Sequence, residues 1–168
     1  MIFMRNTLLH GGWGDRGRSV RFLLRILVLT LALPACGCAG ASDLHDFTSD
    51  GCSLFPDGSI KDRTLWCECC FAHDLAYWRG GTAEERKQAD KALQACVRER
   101  TGDKALADLM YQGVRAGGHP AFPTWYRWGY GWKYGRGYLP LTPEEQRQAA
   151  EKLEDYRKRH PAGYCQEK

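Results

Sequence analysis

The residues best suited to chemistry lie in one short run, Cys69-Cys70-Phe71-Ala72-His73-Asp74-Leu75-Ala76-Tyr77, with Asp90 and Cys96 farther along the chain. A histidine has an ordinary pKa of about 6.5, so His73 can take a proton from water at neutral pH. It needs a second group to fix which ring nitrogen is bare, and Asp90 fits that role if its segment packs against the one carrying His73. Asp74 cannot share the task, because successive helical residues point about 100° apart. Its carboxylate can instead serve as an oxygen ligand for a hard cation. Each residue also has an ordinary reading: His73 as a satisfied helix histidine, Asp74 as a solvated carboxylate, and Asp90 as the partner of Arg86 or Lys91 on its own helix. Cys67, Cys69, Cys70 and His73 also raise the question of zinc, but structural zinc sites draw spaced cysteine pairs from two separate places, and this cluster does not.

Two paired helices are needed to bring these groups together. Over residues 61–78, Trp66, Cys70, His73 and Tyr77 recur at helical spacing and share a face. Arg79-Gly80-Gly81 stops that helix, and Thr82 with Glu85 forms a capping box for the next, over 83–100. The second helix presents Arg86, Asp90, Leu93 and Val97 along one stripe with Cys96 beside it, and the short turn makes the two antiparallel neighbours. A third helix spans 104–115, with Leu106, Leu109, Met110 and Val114 apolar. Residues 115–139 then hold Phe122, Trp125, Tyr126, Trp128, Tyr130, Trp132, Tyr134 and Tyr138, four Lys/Arg and no acid. Most of these rings are expected to pack over the two-helix core, with some Trp exposed; a lipid–water interface is the alternative. Thr142-Pro143-Glu144-Glu145 opens a last helix to about residue 159, read as a solvated strut.

A chain of 168 residues accommodates one domain and is too short for a (β/α)8 barrel or a dinucleotide-binding fold with a substrate domain. With 26% charged and 43% hydrophobic residues it is neither disordered nor collagen-like. Eight Cys, seven Pro and nineteen Gly point to a loop-rich, oxidised fold. The formal charge of +4 belongs to the N-terminus. Residues 1–35 hold five Arg and one Asp, which leaves nineteen basic and nineteen acidic residues in the remainder. A neutral body argues against a nucleic-acid partner.

The uninterrupted apolar run over 26–35 is half the ~20 residues that span a bilayer, and with its basic flank it reads as a signal-peptide core. Leu33-Pro34-Ala35-Cys36 resembles the lipobox of bacterial lipoproteins, which implies lipid on Cys36; Gly37 after it implies the outer membrane. Plain secretion with cleavage near 39–41 is the alternative. The organisation expected is a signal peptide over 1–35, a small polar tether over 36–49, and a folded domain over 50–168 with its core at 50–100 and an extension over 101–168.

The pattern C-C-x-x-H-D-x-x-Y, with an Asp and then a Cys six residues later on the facing helix, resembles the secreted phospholipase A2 superfamily over residues 50–100. The resemblance implies a mainly α fold: a disulfide-linked antiparallel two-helix core with a calcium loop, extra helices and an aromatic, glycine-rich C-terminal segment. It implies His73 as the base, Asp90 as its partner, Tyr77 supporting Asp90, and Ca²⁺ held by Asp74, Asp50 and Gly51, with Asp57 as a competing ligand. It pairs Cys52 with Cys70 and Cys69 with Cys96, and leaves Cys67 and Cys165, whose union would clamp the C-terminus; Cys38 has no assigned role. The animal enzymes' glycine-rich loop, their β-hairpin and their Cys at position 76 are missing, which points to the compact bacterial or fungal branch. The activity implied is Ca²⁺-dependent hydrolysis of the sn-2 ester of glycerophospholipids at a membrane surface. The alternative is an inert member that binds lipid or protein in the envelope.

Overall fold

The computed structural model describes residues 43–168; the leader, Cys36, Cys38 and residues 37–42 lie outside the described residues. Four helices follow one another: α1 (Cys67–Arg79), α2 (Ala83–Thr101), α3 (Lys104–Gly117) and α4 (Pro143–Arg159), and no strand occurs among the described residues. The mainly α architecture is therefore as expected.

α1 starts at Cys67 rather than near residue 61. The Asp62 carboxylate accepts hydrogen bonds from the amide and hydroxyl of Thr64, offering the backbone a turn in place of a helix. Trp66 is held in the same loop by its amide on the Asp57 carbonyl and its indole N–H on the Pro56 carbonyl. The other boundaries follow local chemistry. Thr82 and Glu85 form the capping box of α2, Asp103 caps α3, and Thr142 and Glu145 form a second capping box at α4, with Pro143 at the first helical position. Gly80 ends α1 at φ 68°, and a Cβ there would meet the Gly129 Cα at 2.9 Å, so the aromatic tract can close over the α1–α2 turn only on a glycine.

α1 packs on α2 and α2 on α3. Cys69 meets Cys96, His73 meets Asp90 and Tyr77 meets Arg86, a reversed order that makes α1 and α2 antiparallel. One core lies among these helices and contains Trp66, Leu93, Val97, Ala107 and Met110. A second lies on the opposite side of α1, where Leu44, Phe47, Trp78, Trp132, Ala149 and Tyr156 come together.

The second core corrects two expectations. Residues 44–49, read as the end of a tether, belong to the folded body: Leu44 and Phe47 are each 2% exposed, and Phe47 sets its ring edge-on to those of Trp78 and Tyr156. Backbone bonds fix the same segment, from the His45 amide to the Gly131 carbonyl and from the Trp78 indole to the His45 carbonyl. Two apolar side chains in an otherwise polar stretch suffice to dock it. Nor is α4 a purely solvated strut, since it buries Ala149 and Tyr156 while its charges face outward. The aromatic tract does pack over the core, with Trp128 and Trp132 buried and their indoles on the carbonyls of Gly81 and Arg79; Trp125 stays exposed.

Candidate functional site

Three disulfides fasten the elements that carry the candidate residues. Cys52–Cys70 ties the loop after Asp50 to α1, Cys69–Cys96 ties α1 to α2, and Cys67–Cys165 ties the C-terminus to the start of α1. Each typically contributes ~2–4 kcal/mol by restricting the unfolded chain. Cys67, Cys69 and Cys70 are thereby committed to sulfur, and no cluster of three or more His, Cys, Asp or Glu suited to a metal occurs among the described residues.

His73 and Tyr77 lie one turn apart on α1 and face Asp90 on α2. His73 Nε2 is 2.9 Å from Asp90 Oδ1, and the Tyr77 hydroxyl donates to the same oxygen at 2.7 Å. Asp90 is fully buried. Burial raises the carboxyl pKa, but the bonds from His73, Arg115 and Tyr77 outweigh it and hold Asp90 below the usual carboxylate range. An ionised Asp90 can only accept, so Nε2 carries the proton of this bond, and in the neutral ring Nδ1 is then the bare nitrogen. The Tyr77 hydroxyl is pushed well above its ordinary pKa, first by burial and then by the Asp90 charge, and so remains a donor.

Asp74 turns away from this network, as its position beside His73 requires. Its Oδ2 accepts from the Ser49 hydroxyl at 2.6 Å, and no Lys, Arg or His pairs with it among the described residues. Burial pushes its pKa up to about 8 and the charge of Asp50 adds to the rise; the Ser49 hydroxyl and the amides of Asp50 and Gly51 oppose it. Asp50 and Gly51 are thus brought beside Asp74. The Asp50 carboxylate itself is exposed and accepts from the Ser53 hydroxyl at 2.7 Å and the Trp125 indole at 3.1 Å. Asp57 serves a different purpose, taking the Cys52 amide at 2.8 Å on one oxygen and the Lys168 ammonium on the other. Gly51 lies at φ 81°, and a Cβ there would strike Asp57 Oδ1, so that turn requires glycine.

His73 and Asp74 open on one cavity of about 330 Å³ between the Cys52–Cys70 loop and α3. Its walls include Leu93, Met110 and Val114, and the exposed side chains of Leu54, Phe55 and Leu109 border it. A proton acceptor, a desolvated carboxylate and an apolar slot therefore meet in one place. No helix among the described residues is long and apolar enough to cross a membrane.

Two arginines and a serine complete the site beyond what the spacing indicates. Arg86 was a possible ion-pair partner of Asp90. Its Nε is 3.9 Å from Oδ2, and its hydrogen bonds run instead to Tyr77, Tyr138 and the carbonyls of Val114 and Arg115. Lys91 is exposed and takes no part. Arg115, at the end of α3, donates to Asp90 Oδ2 at 2.6 Å. The signal for it was indirect: an Asp buried beside an imidazole and a phenol needs a cation from somewhere.

No protein-family model matches the chain, and no curated protein and no solved structure matches it either.

Proposed function

We propose that the chain is a calcium-dependent, phospholipase A2-like hydrolase that cleaves the sn-2 acyl ester of glycerophospholipids, exported to the envelope as a lipoprotein or secreted. One observation carries the reading: His73, anchored through Nε2 to a buried Asp90, lines with Asp74 one mostly apolar cavity, an arrangement that in the neutral ring frees Nδ1 to accept a proton. In this reading the cavity takes the acyl chain, and His73 Nδ1 removes a proton from the water that attacks the ester carbonyl. The Asp90 carboxylate steadies the resulting imidazolium, which returns the proton to the departing glycerol oxygen, giving a fatty acid and a lysophospholipid.

The residues present suit calcium. Asp74 is a buried carboxyl group beside a second acid, with the Ser49 hydroxyl and two backbone amides but no basic side chain on it among the described residues, a charge arrangement that a hard dication relieves. Asp74 and Asp50 would hold it through carboxylates and Gly51 through its carbonyl, once Asp50 exchanges Ser53 and Trp125 for the cation. Calcium bound there supplies positive charge to polarise the ester carbonyl and the oxyanion that develops from it.

The engagement of both Asp50 oxygens favours a second reading, a catalytically inert member that holds lipid or a protein partner. Fatty-acid release from phosphatidylglycerol vesicles separates the two. The hydrolase reading expects release with millimolar calcium, loss of it with a chelator, and loss with His73→Gln. Release that survives both changes overturns this mechanism, and no release by the wild type together with no calcorimetric calcium binding favours the inert scaffold.

A further inference from the structure

The Asp90 carboxylate is supplied unevenly. Oδ1 accepts from both His73 and Tyr77, while Oδ2 has a single hydrogen-bond donor among the described residues, Arg115 Nη1 at 2.6 Å. The nearest alternative, Arg86 Nε, lies 3.9 Å from Oδ2, too far for a hydrogen bond. The terminal torsion of an aspartate is broad rather than locked in a staggered well. Fixing one oxygen leaves the carboxylate plane free to swing, and fixing both does not.

Arg115 is in turn held in register. Arg86 is 2% exposed, and its Nη2 donates to the carbonyls of Val114 at 2.9 Å and Arg115 at 2.8 Å, the negative end of the α3 dipole. Its Nε donates to the Tyr77 hydroxyl at 3.1 Å, so one guanidinium joins the end of α3 to the phenol on Oδ1. The side chain of Arg115 remains 32% exposed, open to solutes from solvent.

We propose that Arg115 is a positioning residue that acts on His73 through Asp90: by taking Oδ2 it orients the carboxylate so that the imidazole is kept in the single tautomer with its proton on Nε2 and Nδ1 bare. Arg86 aligns the backbone from which Arg115 reaches. The consequence for turnover rests on the hydrolase reading above; the consequence for the tautomer does not. Without Arg115 the carboxylate rotates, the Nε2–H bond is made only part of the time, and the tautomer with its proton on Nδ1, unable to accept one from water, becomes populated.

The test compares the full chain with Arg115→Ala at one fixed pH in the absence of calcium, reading the ring nitrogens of His73 by ¹⁵N NMR. The wild type is expected to show one protonated nitrogen, Nε2, and Arg115→Ala a mixture. With phosphatidylglycerol vesicles and calcium, Arg115→Ala should lower kcat about 10- to 100-fold with KM within about twofold, the size typical of losing a partner one step removed from the reacting group. Added guanidinium should recover part of the lost kcat, and Arg115→Lys should fall between the two. Should Arg115→Ala fail to fold, Arg115→Gln, which keeps a polar N–H donor but neither the charge nor the reach to Oδ2, takes its place in both measurements. A single unchanged tautomer in the substituted protein overturns the proposal, as does a kcat loss that guanidinium does not relieve. A wild type that releases no fatty acid removes the hydrolase reading alone, because the tautomer measurement still decides the role of Arg115.

Discussion

On one face of α1, His73 and Tyr77 meet Asp90, which Arg115 also bonds, and Tyr77 accepts from Arg86; on the other, Phe71 and Trp78 enter a cluster with Leu44, Phe47, Trp132 and Tyr156. The first face is fixed by direction. Most of its contacts are hydrogen bonds or charge pairs with a preferred angle, and each buried group costs free energy when its partner is removed. The second is fixed mainly by volume, through rings packed edge-to-face at centroid distances of 4.8–5.5 Å, with the Trp78 and Trp132 indoles on backbone carbonyls at its margin. A helix supported on both sides can hold a costly polar network on one because apolar burial on the other stabilises it, at roughly 25 cal/mol per Å². Substitutions on the two faces should therefore fail in different measurements.

The widest separation is expected between His73→Gln and Phe47→Ala. His73→Gln removes the proton acceptor and should lower fatty-acid release about 10²- to 10⁴-fold, at a stability cost of about 1 kcal/mol for the weakened bond to Asp90. Phe47→Ala opens a hole among Phe71, Trp78 and Tyr156 and should cost about 3–5 kcal/mol of stability, while the folded fraction keeps its turnover. Thermal unfolding and release per folded molecule, measured on both variants, check this. Equal loss of stability in the two would mean that the faces are not distinct in function.

The polar face was legible in the sequence because its groups are rare residue types at helical offsets. Helical spacing put His73 and Tyr77 on one face and Asp90 on the facing helix, while the pairs Cys52–Cys70 and Cys69–Cys96 came from the family resemblance, with Cys67 and Cys165 left over; all three bridges are present. The aromatic face was less so. Leu44 and Phe47 are isolated apolar residues among Asp, His, Thr and Ser, and nothing in their own segment reveals a cluster whose other members lie from 24 to more than 100 positions away. Arg115 was hidden for the same reason: its partner Asp90 is 25 residues distant, and a basic residue in the last turn of a helix ordinarily serves the helix dipole. Ser49, which bonds Asp74, lies in the same short segment as Phe47, so the two were missed together.

The two buried acids of the site, Asp90 on the polar face and Asp74 beside it, should also respond differently to pH. Burial holds Asp74 protonated up to about 8 in the folded protein, against an ordinary 3.8 when unfolded. A raised folded pKa gives stability that is fully present below the unfolded value and lost as pH rises through the folded one. Without calcium, then, the protein should lose stability between about pH 4 and pH 8. Asp90, with its pKa lowered, acts in the opposite sense and only at the acid end, losing its contribution as pH falls below the ordinary carboxylate range. Chemical denaturation at pH 5, 6.5 and 8 in chelator should show this decline, Asp74→Asn should flatten it, and calcium should stabilise more at pH 8 than at pH 5 because it competes with the proton. An undiminished slope in Asp74→Asn would place the pH dependence elsewhere.

The finest comparison deletes one oxygen from each face. Tyr77→Phe removes the hydroxyl that donates to Asp90 and accepts from Arg86, leaving the Arg86 Nε without that partner in a buried setting, and should cost about 1–3 kcal/mol. The ring stays, so the edge-on contact with Trp128 is kept and the loss reports the hydroxyl alone. Tyr156→Phe removes a hydroxyl with no hydrogen bond among the described residues from a ring whose packing on Phe47 and His160 is unchanged, and should shift stability by less than about 0.5 kcal/mol. Equilibrium unfolding of both variants measures the difference directly. If Tyr156→Phe proves as costly as Tyr77→Phe, the hydroxyls of the aromatic cluster matter as much as its volume, and the contrast between the two faces of α1 narrows to one of degree.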